Sequence, residues 1–199
     1  LKAPEHLARL IPQDLVEPRL LKPSTPEVRV QAMTDGRLVA FRLTWDDPTL
    51  DDLPGAARFS DACAVQIPAR VEADVPAPQM GEPNRRVEIT CWRASWQATV
   101  DGRGDTIRDL YPNASIDHYP FDAPSLQKDS PAQKEMASRY SPARALGNWM
   151  EGPRASAVED LLAEGPGSLT SAPSTTSKGR GRRGEKGWSV LILRHMPPG

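Results

Sequence analysis

Apolar and polar residues alternate in several separate runs of this chain. Val28, Val30 and Ala32 share one side of a segment, and Val39, Phe41, Leu43 and Trp45 share one side of the next. A period of two is the signature of a strand with one face toward a core. Asp35-Gly36 lies between the two runs and is a hairpin signal. A third strand is expected from Ala62 to Ile67, stopped by Pro68. A fourth is expected from Val87 to Trp92, where Val87, Ile89 and Cys91 alternate with Glu88, Thr90 and Trp92. Trp188 to Arg194 is apolar on both sides, so it should lie centrally in a sheet. If the fourth strand continues, Trp92 and Trp96 point the same way, either completing a core or walling a flat ligand.

Helical patterns are short. AVEDLLAE, from Ala157 to Glu164, reads as a helix closed by Gly165-Pro166. Further short helices are expected near Glu5 to Leu10, Thr106 to Tyr111, Pro131 to Tyr140 and Ala143 to Met150. The fold class that results is mainly β: an antiparallel β-sandwich with helical and irregular insertions.

Composition agrees with a β-rich domain that has long loops. The chain has 199 residues, 38% of them apolar, with 21 prolines and a net charge of −1. Residues 1–26 read as an extended N-terminal arm and 27–199 as one sandwich domain, with an insertion at about 100–155. Residues 171–187, SAPSTTSKGRGRRGEKG, read as a basic flexible loop. The balanced charge gives no global case for nucleic acid or an anionic membrane. No apolar run reaches the roughly 20 residues of a membrane span. LKAPEHLARLIPQDL lacks the layout of a signal peptide.

Enzyme motifs are missing. His6, His118 and His195 have no metal-ligand spacing, and there is no nucleophile elbow, phosphate loop or dinucleotide fingerprint. The pairs Asp46-Asp47 and Asp51-Asp52 read as solvated loop residues. Cys63 and Cys91 read as two small buried hydrophobes rather than a disulfide, and no motif for covalent haem attachment occurs. The informative loop is Pro78-Gln79-Met80-Gly81-Glu82-Pro83, between two strands. A loop held at both ends can aim one side chain at a fixed point. Met80 is a soft thioether donor suited to haem iron, although most methionines only fill gaps in cores.

Six segments together resemble the haem-b-binding gamma subunit of the type II dimethyl sulfoxide reductase family of molybdoenzymes (the ethylbenzene dehydrogenase-related haem-binding domain). They are VRVQA at 28–32, LVAFRLTW at 38–45, FSDACAVQIP at 59–68, QMGEP at 79–83, VEITCWRASWQ at 87–97 and WSVLILR at 188–194. Residues 100–180 match poorly. The resemblance implies an electron-transfer subunit, not itself an enzyme, that carries one non-covalent haem b with Met80 as an axial ligand of the iron. It implies a molybdenum-cofactor catalytic subunit and an iron–sulfur subunit as partners in a periplasmic complex, with an external redox carrier. In that family the second ligand is a lysine beyond the strand matching Trp188 to Arg194. That C-terminal part of the family domain is expected to be missing here, since Pro197-Pro198-Gly199 comes first. Lys178, Lys186, His118 and His195 have the chemistry of a second ligand but match no family position. Two other readings stand beside this one: a haem-free binding module of carbohydrate type, using Trp92 or Trp96, and a structural subunit.

Overall fold

The computed structural model describes residues 3–12, 14, 17, 19–53, 59–103, 112–113, 130–132, 135 and 154–198. It divides into two units, one made of residues 1–100 and 155–199 and the other of residues 101–154. The helices expected at 106–111 and 143–150, most of the one at 131–140, and His118 lie outside the described residues.

The larger unit is an antiparallel β-sandwich. Its strands are β1 (Glu5–Arg9), β2 (Glu27–Thr34), β3 (Leu38–Asp46), β4 (Ala62–Pro68), β5 (Val87–Arg93), β6 (Val158–Ala163), β7 (Thr170–Ser171), β8 (Lys178–Arg183) and β9 (Gly187–His195), with one helix, α1 (Ala94–Val100), after β5. One sheet has the order β1-β2-β3-β9-β8 and the other β4-β5-β6-β7. All pairings between these strands are antiparallel.

The alternating runs become β2 to β5, and β9 lies between β3 and β8 as its two-sided apolar pattern requires. The Asp35-Gly36 turn closes β2 on β3. Asp35 Oδ1 accepts the amides of Arg37 at 2.9 Å and Leu38 at 2.7 Å, and Gly36 takes φ +88°. The sheets meet face to face around Trp92, which is 0% exposed. Its ring lies edge-on to Trp188 at 4.9 Å and to Trp45 at 6.2 Å between centroids. Val158, Val190 and Ile192 complete this core.

Three local expectations are overturned, and the conditional continuation of the fourth strand to Trp96 does not occur. Glu5–Arg9 is a strand, because five residues cannot repay helix nucleation but can pair with the free edge of β2. Ala157 to Glu164 is not a helix. Val158–Ala163 is the strand between β5 and β7, since two neighbouring ladders outweigh a modest helix preference. The fourth strand stops at Arg93, and Trp96 sits in α1 instead. Residues 171–187 are not one loop: Lys178–Arg183 is β8. Its Lys-Gly-Arg-Gly-Arg-Arg repeat is a strand pattern with glycines on the core side. A Cβ on Gly181 would come within 2.1 Å of the Trp92 ring, so only glycine lets this strand lie against the indole.

One amide on the edge of β8 has a side-chain partner. Gln97 of α1 is buried, and its Oε1 accepts the Gly181 amide at 2.9 Å and the Trp92 indole N–H at 3.2 Å. One side chain thereby satisfies a buried indole and one amide of an edge strand.

Candidate functional site

The strand directions define two ends of the sandwich. Trp188 opens β9 and meets Trp92 near the end of β5, whereas Arg194 near the end of β9 meets Glu88 near the start of β5. The loop from Ala69 to Arg86 joins β4 to β5 at the Arg194 end. The Val71 amide donates to Pro198 O at 3.0 Å, which ties this loop to the segment after β9.

Met80 occupies a tight turn in that loop. It is half-buried and takes φ +65°, followed by Gly81 at +79°. Left-handed backbone is costly for a residue with a Cβ, on the order of 1–3 kcal/mol. Three hydrogen bonds hold the turn there. The Gly81 amide donates to Ala77 O at 2.9 Å, the Gly165 amide donates to Met80 O at 2.9 Å, and Gln66 Nε2 donates to Pro78 O at 3.2 Å. The turn is thus tied both to β4 and to the connection after β6. Gly81 is close to Val87 and to the carbonyls of Arg85 and Ala163, and a Cβ would lie 2.9 Å from Arg85 O. Glycine is required at that position both for φ and for space.

Charge gathers beside the turn. Arg70, Arg85 and Arg86 line a cleft of about 360 Å³ together with Glu72 and Glu164. Arg85 pairs with Glu82 at 2.6 Å and Glu72 at 3.3 Å, and Arg86 pairs with Glu164 at 2.9 Å.

Between the sheets, this end is polar. Arg194 is 5% exposed. Its Nη1 donates to Glu88 O at 3.3 Å and Thr90 Oγ1 at 3.2 Å, its Nη2 pairs with the Glu88 carboxylate, and its Nε is buried without a partner. Thr90 donates to Asp160 Oδ1 at 2.7 Å and lies 3.1 Å from Ser177 Oγ. The amides of Thr176 and Ser177 donate to Asp160 Oδ2 at 2.9 and 3.0 Å. Burial pushes the Asp160 pKa up, but the bonds from Ser177, Thr90 and Thr176 outweigh it and hold the carboxyl below its ordinary value. Sequence reasoning passed over these residues. The signal was present: Arg194 has the core-side parity of Trp188, Val190 and Ile192, and Glu88 and Thr90 have that of Trp92.

The other candidates separate. Lys186 lies in the β8–β9 turn, where its carbonyl accepts the Asp47 amide at 2.8 Å, at the end opposite Met80. Lys178 and His195 are at the Met80 end. They pair with Leu193 and Leu38 at positions whose parity is opposite to that of Arg194, so both belong to the outer face of the five-stranded sheet. Trp92 and Trp96 are 0% and 5% exposed and cannot offer a flat platform to a sugar; the core takes both. Cys63 and Cys91 are unlinked and half-buried, and burial pushes the Cys63 thiol up.

Among the described residues no three His, Cys, Asp or Glu side chains gather as a metal site. Met80 is a soft thioether in a turn held by several hydrogen bonds, and the cleft lined by Arg70, Arg85 and Arg86 belongs to the same loop. No helix among the described residues is long and apolar enough to cross a membrane.

No protein-family model matches the chain. Over 72 residues it is 39% identical to a Haloferax mediterranei protein described as a respiratory nitrate reductase heme subunit. The matched part is 36% of this chain and spans about a quarter, 26%, of that relative. The similarity is therefore one of sequence, over about a third of this chain.

Proposed function

We propose that this chain is an electron-transfer subunit carrying one non-covalent haem b, with Met80 as an axial ligand of the iron. The supporting observation is the backbone of Met80, φ +65° and fixed by three hydrogen bonds to and beside it. A left-handed backbone at a residue with a Cβ persists only where surrounding ties offset its strain, and such positions gather at ligand-holding sites. The partial similarity to a respiratory haem subunit points the same way.

When bound, the haem supplies a one-electron couple whose potential follows its ligands and surroundings. The chain's own part is to present the thioether and to meet a haem carboxylate with Arg70, since Arg85 and Arg86 are paired with Glu72, Glu82 and Glu164. The partners in this reading are a molybdenum-cofactor catalytic subunit and an iron–sulfur subunit in the periplasm. The subunit relays electrons between the iron–sulfur chain and an external carrier.

The test is the absorption spectrum of the assembled complex, oxidised and then dithionite-reduced, for the native chain and Met80→Ala. The expected result is a sharp six-coordinate b-type spectrum that broadens in the variant, with a lower potential. An absence of haem absorbance after haem is added, or a spectrum and potential indifferent to Met80→Ala, overturns the assignment.

A further inference from the structure

The outer face of the five-stranded sheet is asymmetric in charge. Every second residue of β8 points away from the core, so Lys178, Arg180 and Arg182 form a row opposite Leu193, Leu191 and Ser189 of β9. Successive members of such a row stand about 6.7 Å apart. All three are exposed. Arg42, opposite Leu191 on the other side, adds a fourth cation and donates to Ser189 Oγ at 3.2 Å. The outward positions of β3, β9 and β8 include one carboxylate, Asp46, held by Arg29 at 2.7 Å. Leu191 is 45% exposed within this basic row.

We propose that this face docks an acidic protein surface. Three features favour a protein over the other polyanions. The chain as a whole carries a net charge of −1, so it has no general attraction for nucleic acid or anionic lipid, and the positive field is local. The row surrounds an exposed leucine, the mixed apolar and basic character of a protein interface. No Trp, Tyr or Phe stands among the outward positions of β3, β9 and β8, and the one imidazole there, His195, lies at the end of β9 rather than within the basic row. Gln97 takes the Gly181 amide at the edge of β8, and the basic row stands on the face, where recognition runs through side chains. The inference rests on the electron-transfer reading only for there being a partner chain.

Carbodiimide coupling in the assembled complex tests it, because this reagent joins a lysine directly to a carboxylate in contact with it. Lys178 is expected to couple to an Asp or Glu of another chain. Arg180→Glu with Arg182→Glu should then weaken binding to that chain at least tenfold and flatten its salt dependence, with thermal stability and haem content unchanged. The neutral pair Arg180→Gln with Arg182→Gln should give an intermediate loss, which separates charge from misfolding. Coupling of Lys178 only within its own chain, or not at all, overturns the proposal. So does affinity unaffected by both pairs, or tighter binding to duplex DNA or phosphatidylserine vesicles than to the coupled chain in the same buffer. Loss of haem with docking intact would count against the haem reading and leave this one standing.

Discussion

The two ends of the space between the sheets are built on opposite principles. At one end Trp45, Trp92 and Trp188 interlock, and a glycine of β8 yields the space that the indole fills. At the other, Arg194, Glu88, Thr90, Asp160 and Ser177 form a connected polar network beside the Met80 loop. Each end also holds a shifted carboxyl, and the shifts are opposite. Asp61, at the tryptophan end, accepts the Trp188 indole N–H at 2.8 Å and the Asp51 amide at 3.0 Å. Burial, with the nearby Asp47 and Asp51, nonetheless pushes its pKa up. Asp160 is also half-buried, yet its four donors hold its pKa down. Burial alone therefore does not set the direction; the count of donors against neighbouring charges does.

Trp92→Ala is the strongest way to break the aromatic end. It should cost about 3–5 kcal/mol, since it empties the centre of the core and leaves the Gly181 strand unsupported. Denaturant unfolding measures this directly; a loss under about 1 kcal/mol would mean that the sheets repack. Next comes Arg194→Met at the polar end. It leaves Thr90 and the Glu88 carboxylate without their donor and should cost about 2–3 kcal/mol, less than a fully buried pair because Glu88 is 38% exposed. Adding Glu88→Gln should recover part of that cost. A double variant no better than the single would show that the pair is not coupled.

The smallest effects separate the two carboxyls. The folded pKa of Asp160 lies below its unfolded value, so its contribution is complete above the ordinary Asp range, near pH 4, and is lost as pH falls through the folded pKa. Asp160→Asn should lower stability at neutral pH by about 1–2 kcal/mol and flatten the acid side of the stability curve. For Asp61 the sign reverses. Its folded pKa is raised, so its contribution is present below the unfolded value and is lost as pH rises through the folded one. Asp61→Asn should keep the indole bond and leave the protein slightly more stable at neutral pH. Unfolding midpoints taken between about pH 3 and 7 distinguish the two, and parallel curves for both variants would refute the contrast.

Much of the larger unit was legible in the chain. Five strands, the Asp35-Gly36 hairpin and the central place of β9 followed from alternation and turn chemistry, which act between near neighbours. The loop bearing Met80 was legible for the same reason, by its prolines and its flanking strands. The basic stretch misled because its composition is that of a solvated segment. Its alternation of glycine and cation had meaning only once Trp92 and Val158 were known to lie beneath the glycines. AVEDLLAE misled because its local preference is helical, and the ladders of β5 and β7 that overrule it come from distant parts of the chain.

By itself, then, the sequence determined the period of each strand, the turns between neighbours and which loop could present a thioether. Only the tertiary structure decided that Met80 is held in a left-handed turn, that Lys186 lies at the far end from it, and that Arg194 meets Glu88 across the sheets. The reason is one of range. Alternation and turn preference are set by a few adjacent residues, whereas these placements depend on the order in which strands far apart in the chain come to lie side by side.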